Sequence, residues 1–475
     1  MAHRPQAIYD LIVIGSGPGG EKGAAQAAYF GKKVALVERA PRFGGAVANT
    51  GIPGKAMRET ALYLSGLRGR DLHGIRLSYD GTVTADELMH RGGVVREALS
   101  GWIWTNLERH HVDVFRGVAS FVDDHTVTVV DHGTETLLRA EIILIATGSR
   151  PIRPATIPFD DQQVYDSDTI LQMTRLPRSL TIIGGGTIGC EYACLFKVLG
   201  LDRVRVVHAG DRLLPFADGE IATMLREAMR SIGVEFLMPQ HVAEVERRDG
   251  PIVVLEDGRR LEAEAVLVAL GRQSNVDGLD LDRAGVRTTE HGRLEVNERF
   301  QTNVPHIYAA GDVIEGVALS STAMEQARIA MVNAFDLQHD PKYKSGIARH
   351  LPIGVWTIPE VSMVGETEES LRAKRRPYVV GRCRFQNNPR GALIGERWGL
   401  LKLVFSVPEE QLLGVHMIGE NACELIAGGL VGMTMGATMA TFIDTCFNFP
   451  TLSDMYKYAT YDAVGNLRNG DCHRG

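Results

Sequence analysis

Three short stretches of this sequence carry residue types whose spacing suits nucleotide and redox chemistry. The first is Gly15-Ser16-Gly17-Pro18-Gly19-Gly20. Gly15 permits a tight turn, Gly17 lets the backbone approach a pyrophosphate, and Gly20 lets a helix pack close to the preceding strand. The free N–H groups and positive dipole end of that helix would face the phosphates. Glu38 ends the next strand-like run, KKVALVE, where an acid accepts hydrogen bonds from a ribose. The competing reading is a plain glycine-rich turn. The second stretch is Gly184-Gly185-Gly186-Thr187-Ile188-Gly189, and there the place of Glu38 is taken by His208 in VVHAGDR. An acid at that place repels a 2′-phosphate. An imidazole, with Arg212 nearby, does not. Alternatively, His208 is a polar loop residue and nucleotide choice is set elsewhere. The third stretch is HIYAAGDV, which puts Asp312 at the end of a buried strand, placed to hold a ribityl or phosphate-linked hydroxyl.

These residues need strands and helices to position them. YDLIVIG, a glycine turn, a small-residue helix and KKVALVE form a β-α-β unit, and SLTIIGGGTIGCEYACLFKVLG with VRVVHAG repeats it. Two such units so far apart indicate two dinucleotide-binding domains rather than a repeat array. Between them, residues 61–109 read as helix with a loop near 72–84, and 112–145 read as short strands. AEAVLVALGR closes the second fold, and HIYAAGDV returns to the first. From Leu351 onward, VWTIPEVSMVG, GLLKLVFS and LLGVHMIG read as strands and GENACELIAGGLVGMTMG as a helix. The polar stretch 465–475 reads as a frayed end. The helix starting near Thr322 (TAMEQARIAM) would aim its N-terminus at a cofactor ring and favour negative charge there.

Composition narrows the class. The chain has 475 residues, enough for about three domains, and its 23% charged residues suit a globular protein. A net charge of -7 without a long run of one sign argues against nucleic acid and against an anionic membrane surface. The apolar run Ile8 to Ile14 is too short to span a bilayer and lacks the flanks of a signal peptide, so a cytoplasmic location is the expectation. The six cysteines are scattered. Cys190 and Cys194 share a helix face and read as small buried apolar side chains, in keeping with a reducing compartment.

GSGPGG with Glu38, the GG…NTG-IP-K stretch, ATGSRP, GGGTIGCE, ALGR and AAGD occur in the order seen in the flavin-dependent pyridine nucleotide-disulfide oxidoreductases. The whole chain resembles that family, to which lipoamide dehydrogenase and glutathione reductase belong. The resemblance implies an α/β fold: two Rossmann-like dinucleotide-binding domains, for FAD and NAD(P), and a C-terminal α+β dimerisation domain. The implied boundaries are 1–155 and 276–345 for the FAD-binding domain, 156–275 for the NAD(P)-binding domain and 346–475 for dimerisation. FAD, NADP and NAD are the implied cofactors, a homodimer the implied assembly, and no metal is expected. The implied cofactor contacts are Gly15, Gly17, Gly19, Gly20, Glu38, Arg39, Gly45, Thr147, Gly148, Gly311 and Asp312, and, around the second fold, Gly184, Gly186, Gly189, His208, Arg212 and Gly271.

Disulfide reductases of the family carry two cysteines in the stretch that here reads FGGAVANTGIPGKAM. Val47 occupies the first position, and Gly51 runs directly into Ile52, one residue short of the second. The histidine of the family's C-terminal His-Pro-Thr is Phe449 here, followed by Pro450, Thr451 and, further on, Asp454. Phenylalanine cannot transfer a proton, so thiols and proton shuttle are missing together. Lipoamide and glutathione reduction are therefore disfavoured, and so is mercuric ion reduction, because the tail has only Cys472 and no vicinal pair. Lys55 and Glu191 remain. The resemblance implies that Lys55 lies beside the flavin, where a cation stabilises the anionic reduced form, and that Glu191 pairs with it. The competing reading of Glu191 is a helix N-terminal acid.

NTGIPGKAMRET, the Glu-Tyr-Ala after the second glycine turn and FNFPTLSD resemble the soluble pyridine nucleotide transhydrogenase branch. The chain departs from it in lacking a cysteine and a Thr before Ile52, and in Gly54 where Ser is usual. The leading functional reading is therefore FAD-dependent hydride transfer between NADPH and NAD+ without a redox disulfide. The alternatives are an NAD(P)H oxidoreductase with a quinone, oxygen or a specialised small molecule as acceptor, and a non-catalytic nucleotide-binding flavoprotein.

Overall fold

The computed structural model describes residues 7–69, 84–337 and 349–473. They divide into two compact units: 7–56, 89–152 and 271–337 in the first, and 57–69, 84–88, 153–270 and 349–473 in the second.

In the first unit, the strand Ala7–Ile14 is followed by the helix Pro18–Tyr29 and the strand Val34–Glu38. Leu11, Ile12, Val13, Ala35 and Leu36 are fully buried, the pattern of a parallel strand covered on both faces. Each large side chain so buried contributes roughly 1.5–3 kcal/mol. Ala7–Ile14 pairs in parallel with Val34–Glu38 on one side and Thr134–Ile145 on the other. Asp113–Arg116 extends the first edge, and Ile307–Ala309 joins the C-terminal half of Thr134–Ile145. Chain order reverses across Ala7–Ile14, so the turn at Gly15 opens at a switch point, where such sheets bind ligands. The strands expected over 112–145 are present.

The second unit contains a parallel sheet ordered Val234–Leu237, Arg203–Val207, Ser179–Ile183, Ala265–Val268 and Val164–Asp166. The helix Thr187–Val198 follows the second glycine turn and buries Cys190, Ala193, Cys194 and Phe196 completely. The same unit holds a five-stranded antiparallel sheet ordered Ile353–Val355, Glu360–Gly365, Leu412–Gly419, Leu400–Ser406 and Tyr378–Arg384. It is covered by Ala422–Thr434 and Met455–Asn469. The strand Tyr378–Arg384 escapes sequence reading because Gly381 interrupts it. A Cβ at Gly381 would lie 1.9 Å from the carbonyl of Ala459, so glycine lets the last helix lie against the strand.

The two helices expected over 61–109 are Ile52–Gly69 and Ala85–Arg109, the first starting nine residues earlier than expected. The expected loop near 72–84 lies outside the described residues except for Thr84. The frayed end expected from Gly465 is corrected: Met455–Asn469 stays helical to Asn469, and His473 bridges to Tyr378. No helix among the described residues is long and apolar enough to cross a membrane.

Candidate functional site

The first glycine turn has the geometry its spacing predicts. Gly15 has φ +103°, and a Cβ there would meet the Ala146 carbonyl oxygen at 2.5 Å. A Cβ on Gly20 would lie 1.8 Å from the carbonyl of Gly15, so the helix can start this close to the strand only with glycine. Gly17 differs: a Cβ there meets nothing within 4 Å. It caps the helix without a side-chain partner, which leaves the first N–H groups for a ligand. Gly19 approaches Ala310 and Ala323, and Gly45, at φ +55°, approaches the Cα of Gly17. Glu38 is buried. One carboxylate oxygen accepts from the backbone N–H of Ser16 at 2.9 Å and its hydroxyl at 2.5 Å, and the other accepts from the N–H of Ala40 at 2.7 Å. Glu38 therefore also organises the loop itself. Arg39 is exposed.

Thr147, Gly148, Gly311 and Asp312 gather at the ends of the neighbouring strands. The Ser149 hydroxyl donates to Asp312 Oδ2 at 2.7 Å and accepts from Arg272 Nε at 2.9 Å. Gly311 N–H donates to Gln326 Oε1 at 2.8 Å. Asn275 Nδ2 donates to the Thr147 carbonyl and its N–H to that of Gly148. Ser149, Arg272, Asn275 and Gln326 were not legible as site residues, because their partners are far away in the chain. Gly271 turns at φ +108°, and its carbonyl accepts from Ile152 N–H. Two buried hydroxyls, Thr147 Oγ1 and Thr322 Oγ1, have no hydrogen-bond partner. Orphaned buried polar atoms are costly unless a ligand completes them. With the open approach at Gly17, these residues fit a dinucleotide such as FAD.

The second glycine turn copies the first. Gly15 N–H donates to the Val37 carbonyl at 2.8 Å, and Gly184 N–H donates to that of Val207 at 2.8 Å. A Cβ on Gly189 would lie 2.0 Å from the Gly184 carbonyl oxygen, and one on Gly186 meets nothing within 4 Å. Where Ser16 N–H meets Glu38, Gly185 N–H donates to Nδ1 of His208 at 3.2 Å. The other ring nitrogen, Nε2, faces the Arg212 carbonyl oxygen at 3.2 Å, and a carbonyl only accepts. Both ring nitrogens are thus engaged by backbone. Arg212 donates to the Pro215 carbonyl at 2.8 Å and pairs with Glu369 at 3.2 Å.

Lys55 lies half-buried on the first turn of Ile52–Gly69. Ahead of it, Val47–Gly51 forms one π-helical turn in which Asn49 Nδ2 donates to the Gly45 carbonyl at 2.8 Å. Glu191, on Thr187–Val198, accepts the Trp356 N–H at 2.8 Å. Arg58, within the NTGIPGKAMRET stretch, is buried, pairs with Glu360 at 3.0 Å and donates to the Thr357 carbonyl. Phe449 is exposed, and Asp454 is buried in its own chain.

No cysteine lies in the Phe43 to Met57 stretch. Burial pushes the Cys194 thiol up to about 12 and that of Cys190 well above its ordinary value, so neither offers a thiolate. Among the described residues, Asp124, His125 and His306 cluster as a metal site would. Their two imidazoles stack 3.8 Å apart and within 6° of parallel, so their in-plane lone pairs do not converge on one ion.

The profile of the family described as pyridine nucleotide-disulphide oxidoreductase matches residues 9–327, and its dimerisation domain matches residues 351–460. A soluble pyridine nucleotide transhydrogenase of Mycobacterium bovis is 41% identical over 464 residues, 97% of this chain and 98% of that protein. A protein of the same name from Yersinia enterocolitica is 37% identical over 471 residues, 97% of this chain and 98% of its own. Among solved structures, LpdA of Mycobacterium tuberculosis superposes with a TM-score of 0.88 at 26% identity, covering 95% of this chain and 99% of that one. The HOCl-induced flavoprotein disulfide reductase RclA of Escherichia coli superposes at 0.84, also at 26% identity, with the same coverage.

Proposed function

This chain belongs to the pyridine nucleotide-disulphide oxidoreductase family, FAD-dependent enzymes that oxidise or reduce NAD(P)(H), and on that premise we propose that it is a transhydrogenase that moves hydride between NADPH and NAD+ without a redox disulfide. When bound, FAD supplies a ring that takes two electrons from one nicotinamide and returns them to another. The carrying observation is His208. An imidazole stands where the first fold has the Glu38 carboxylate, so this strand-end position presents no anion to a 2′-phosphate and suits NADPH and NADH in turn. The absence of cysteine from Phe43 to Met57 supports a route without a thiol relay.

Within this reading, Gly15 to Gly20, Glu38, Thr147 and Asp312 hold FAD, and Gly184 to Gly189 with His208 and Arg212 hold the nicotinamide nucleotide. Lys55 stabilises negative charge at the flavin, and Glu191 is the second catalytic candidate. The functional domains are 1–155 with 276–345 for FAD, 156–275 for NAD(P) and 346–475 for assembly into a homodimer, in the cytoplasm. Light scattering that found a stable monomer at micromolar concentration would reject the dimer.

The deciding experiment reduces the purified flavoprotein with NADPH in the absence of oxygen and then offers acceptors. Return of the visible flavin absorbance with NAD+, coupled to NADH formation, supports transhydrogenation. Reoxidation by oxygen or a quinone but not by NAD+ rejects it in favour of an NAD(P)H oxidoreductase with another acceptor.

A further inference from the structure

We propose that Glu369 is a positioning residue for nucleotide choice: it anchors Arg212 beside the second glycine turn and offsets its charge, which keeps NADPH from being strongly preferred over NADH. The proposal rests on the reading that His208 and Arg212 lie at the adenosine ribose.

The contact lies at the surface. Glu369 Oε1 pairs with a terminal nitrogen of Arg212 at 3.2 Å and accepts the Gly219 N–H at 3.0 Å. A Cβ on Gly219 would fall 2.4 Å from that oxygen and 3.1 Å from the arginine nitrogen, so glycine is what allows the carboxylate to sit there. The pair is only partly exposed, with side-chain accessibilities of 33% for Arg212 and 42% for Glu369.

Both ends of the contact are held in place. Gly219 opens the helix Gly219–Ser231, which is capped by Asp218. Glu369 is the second residue of Glu368–Ala373, where Thr367 and Ser370 form a capping box. Lys402, 1% exposed, ties the two helix starts together, with its ammonium 2.9 Å from Asp218, 3.2 Å from Glu220 and 2.6 Å from Glu368.

His208 uses both ring nitrogens on backbone groups, which leaves neither to donate to a phosphate. Attraction for a 2′-phosphate at this corner therefore depends on Arg212, and the partner carboxylate of Glu369 reduces it. Glutamine at 369 keeps an oxygen for Gly219 N–H and Arg212 while removing the negative charge. Alanine removes both the anchor and the charge.

The test measures binding of 2′,5′-ADP and 5′-AMP to the FAD-loaded protein by calorimetry, and reads the ratio of their dissociation constants. This ratio isolates the 2′-phosphate, whereas a general structural defect weakens both ligands alike. E369Q should raise the preference for 2′,5′-ADP about three- to tenfold, an effect that added salt reduces. E369A should raise it less than E369Q. R212A should abolish the preference, and R212A combined with E369Q should match R212A alone. If R212A leaves the ratio unchanged, Arg212 is not at the 2′-phosphate and the underlying reading fails. If R212A lowers the ratio but E369Q leaves it unchanged or lowers it, the role given to Glu369 is overturned while the underlying reading stands.

Discussion

Replacing His208 with glutamate puts into the second fold the group that the first fold carries at Glu38. Glu38 accepts the Ser16 N–H at 2.9 Å, and His208 Nδ1 accepts the Gly185 N–H at 3.2 Å, so a glutamate at 208 can take over the same backbone donor with little rearrangement. The change is therefore mainly one of charge. A 2′-phosphate carries about -1.5 to -2 at neutral pH. At a separation of ~5 Å and an effective dielectric constant of ~40, each pair of unit charges repels by about 1.7 kcal/mol. Physiological salt reduces this at a half-exposed site, which leaves roughly 1–3 kcal/mol. NADPH should accordingly lose tenfold to a hundredfold in kcat/KM. NADH, whose 2′-hydroxyl can donate to the new carboxylate, should hold or improve. The assay is flavin reduction by each nucleotide under anaerobic conditions, with FAD content and melting temperature as controls for folding. An unchanged NADPH/NADH ratio in a folded, FAD-loaded variant refutes the assignment of the ribose to this corner. Wild-type protein that reduces its flavin with only one of the two nucleotides refutes transhydrogenation itself.

Other outcomes follow from the same geometry. Gly17→Ala should leave the melting temperature of the apoprotein unchanged but weaken FAD retention, since φ at Gly17 is -61° and the new methyl meets only the space the pyrophosphate needs; Gly20→Ala, 1.8 Å from a carbonyl oxygen, should lower apoprotein stability as well. Lys402→Met should destabilise the protein by about 3–5 kcal/mol, because it leaves the buried Asp218 without its cation. Burial opposes ionisation of Glu368, but the hydrogen bond and charge of Lys402, with Tyr378 and Arg372, hold its carboxyl below the ordinary value of 4.5. The unfolded chain then binds that proton more readily, so this stability is complete above pH 4.5 and is lost as pH falls through the lower folded value. Thermal melts between neutral and acid pH should show that loss, and Lys402→Met should flatten it. Alkylating reagents should leave flavin reduction by NADPH intact, and a long-wavelength thiolate–flavin band on two-electron reduction would contradict a route without thiols.

What could be read in the sequence is what depends on neighbours along the chain. The two glycine turns were legible because each needs only a strand, a few residues without side chains and a helix start. Gly15 with Gly20, and Gly184 with Gly189, meet within six positions. The missing cysteines, Val47, the shortened stretch at Gly51 and Phe449 were legible for the same reason: absence of a side chain is a property of composition. Strands buried on both faces show as unbroken apolar runs. The strand Tyr378–Arg384 was not legible, because Gly381 serves a contact with a helix some eighty residues later. The tertiary structure decided whatever depends on a partner far along the chain. Nothing near Asp312 announces Ser149, 163 positions away, and nothing near Arg212 announces Glu369, 157 positions away. The setting of His208 follows the same rule. Its type is written in the sequence, but its two hydrogen-bond partners, one backbone donor at Gly185 and one backbone acceptor at Arg212, are brought to the two sides of the ring only by the folded loop.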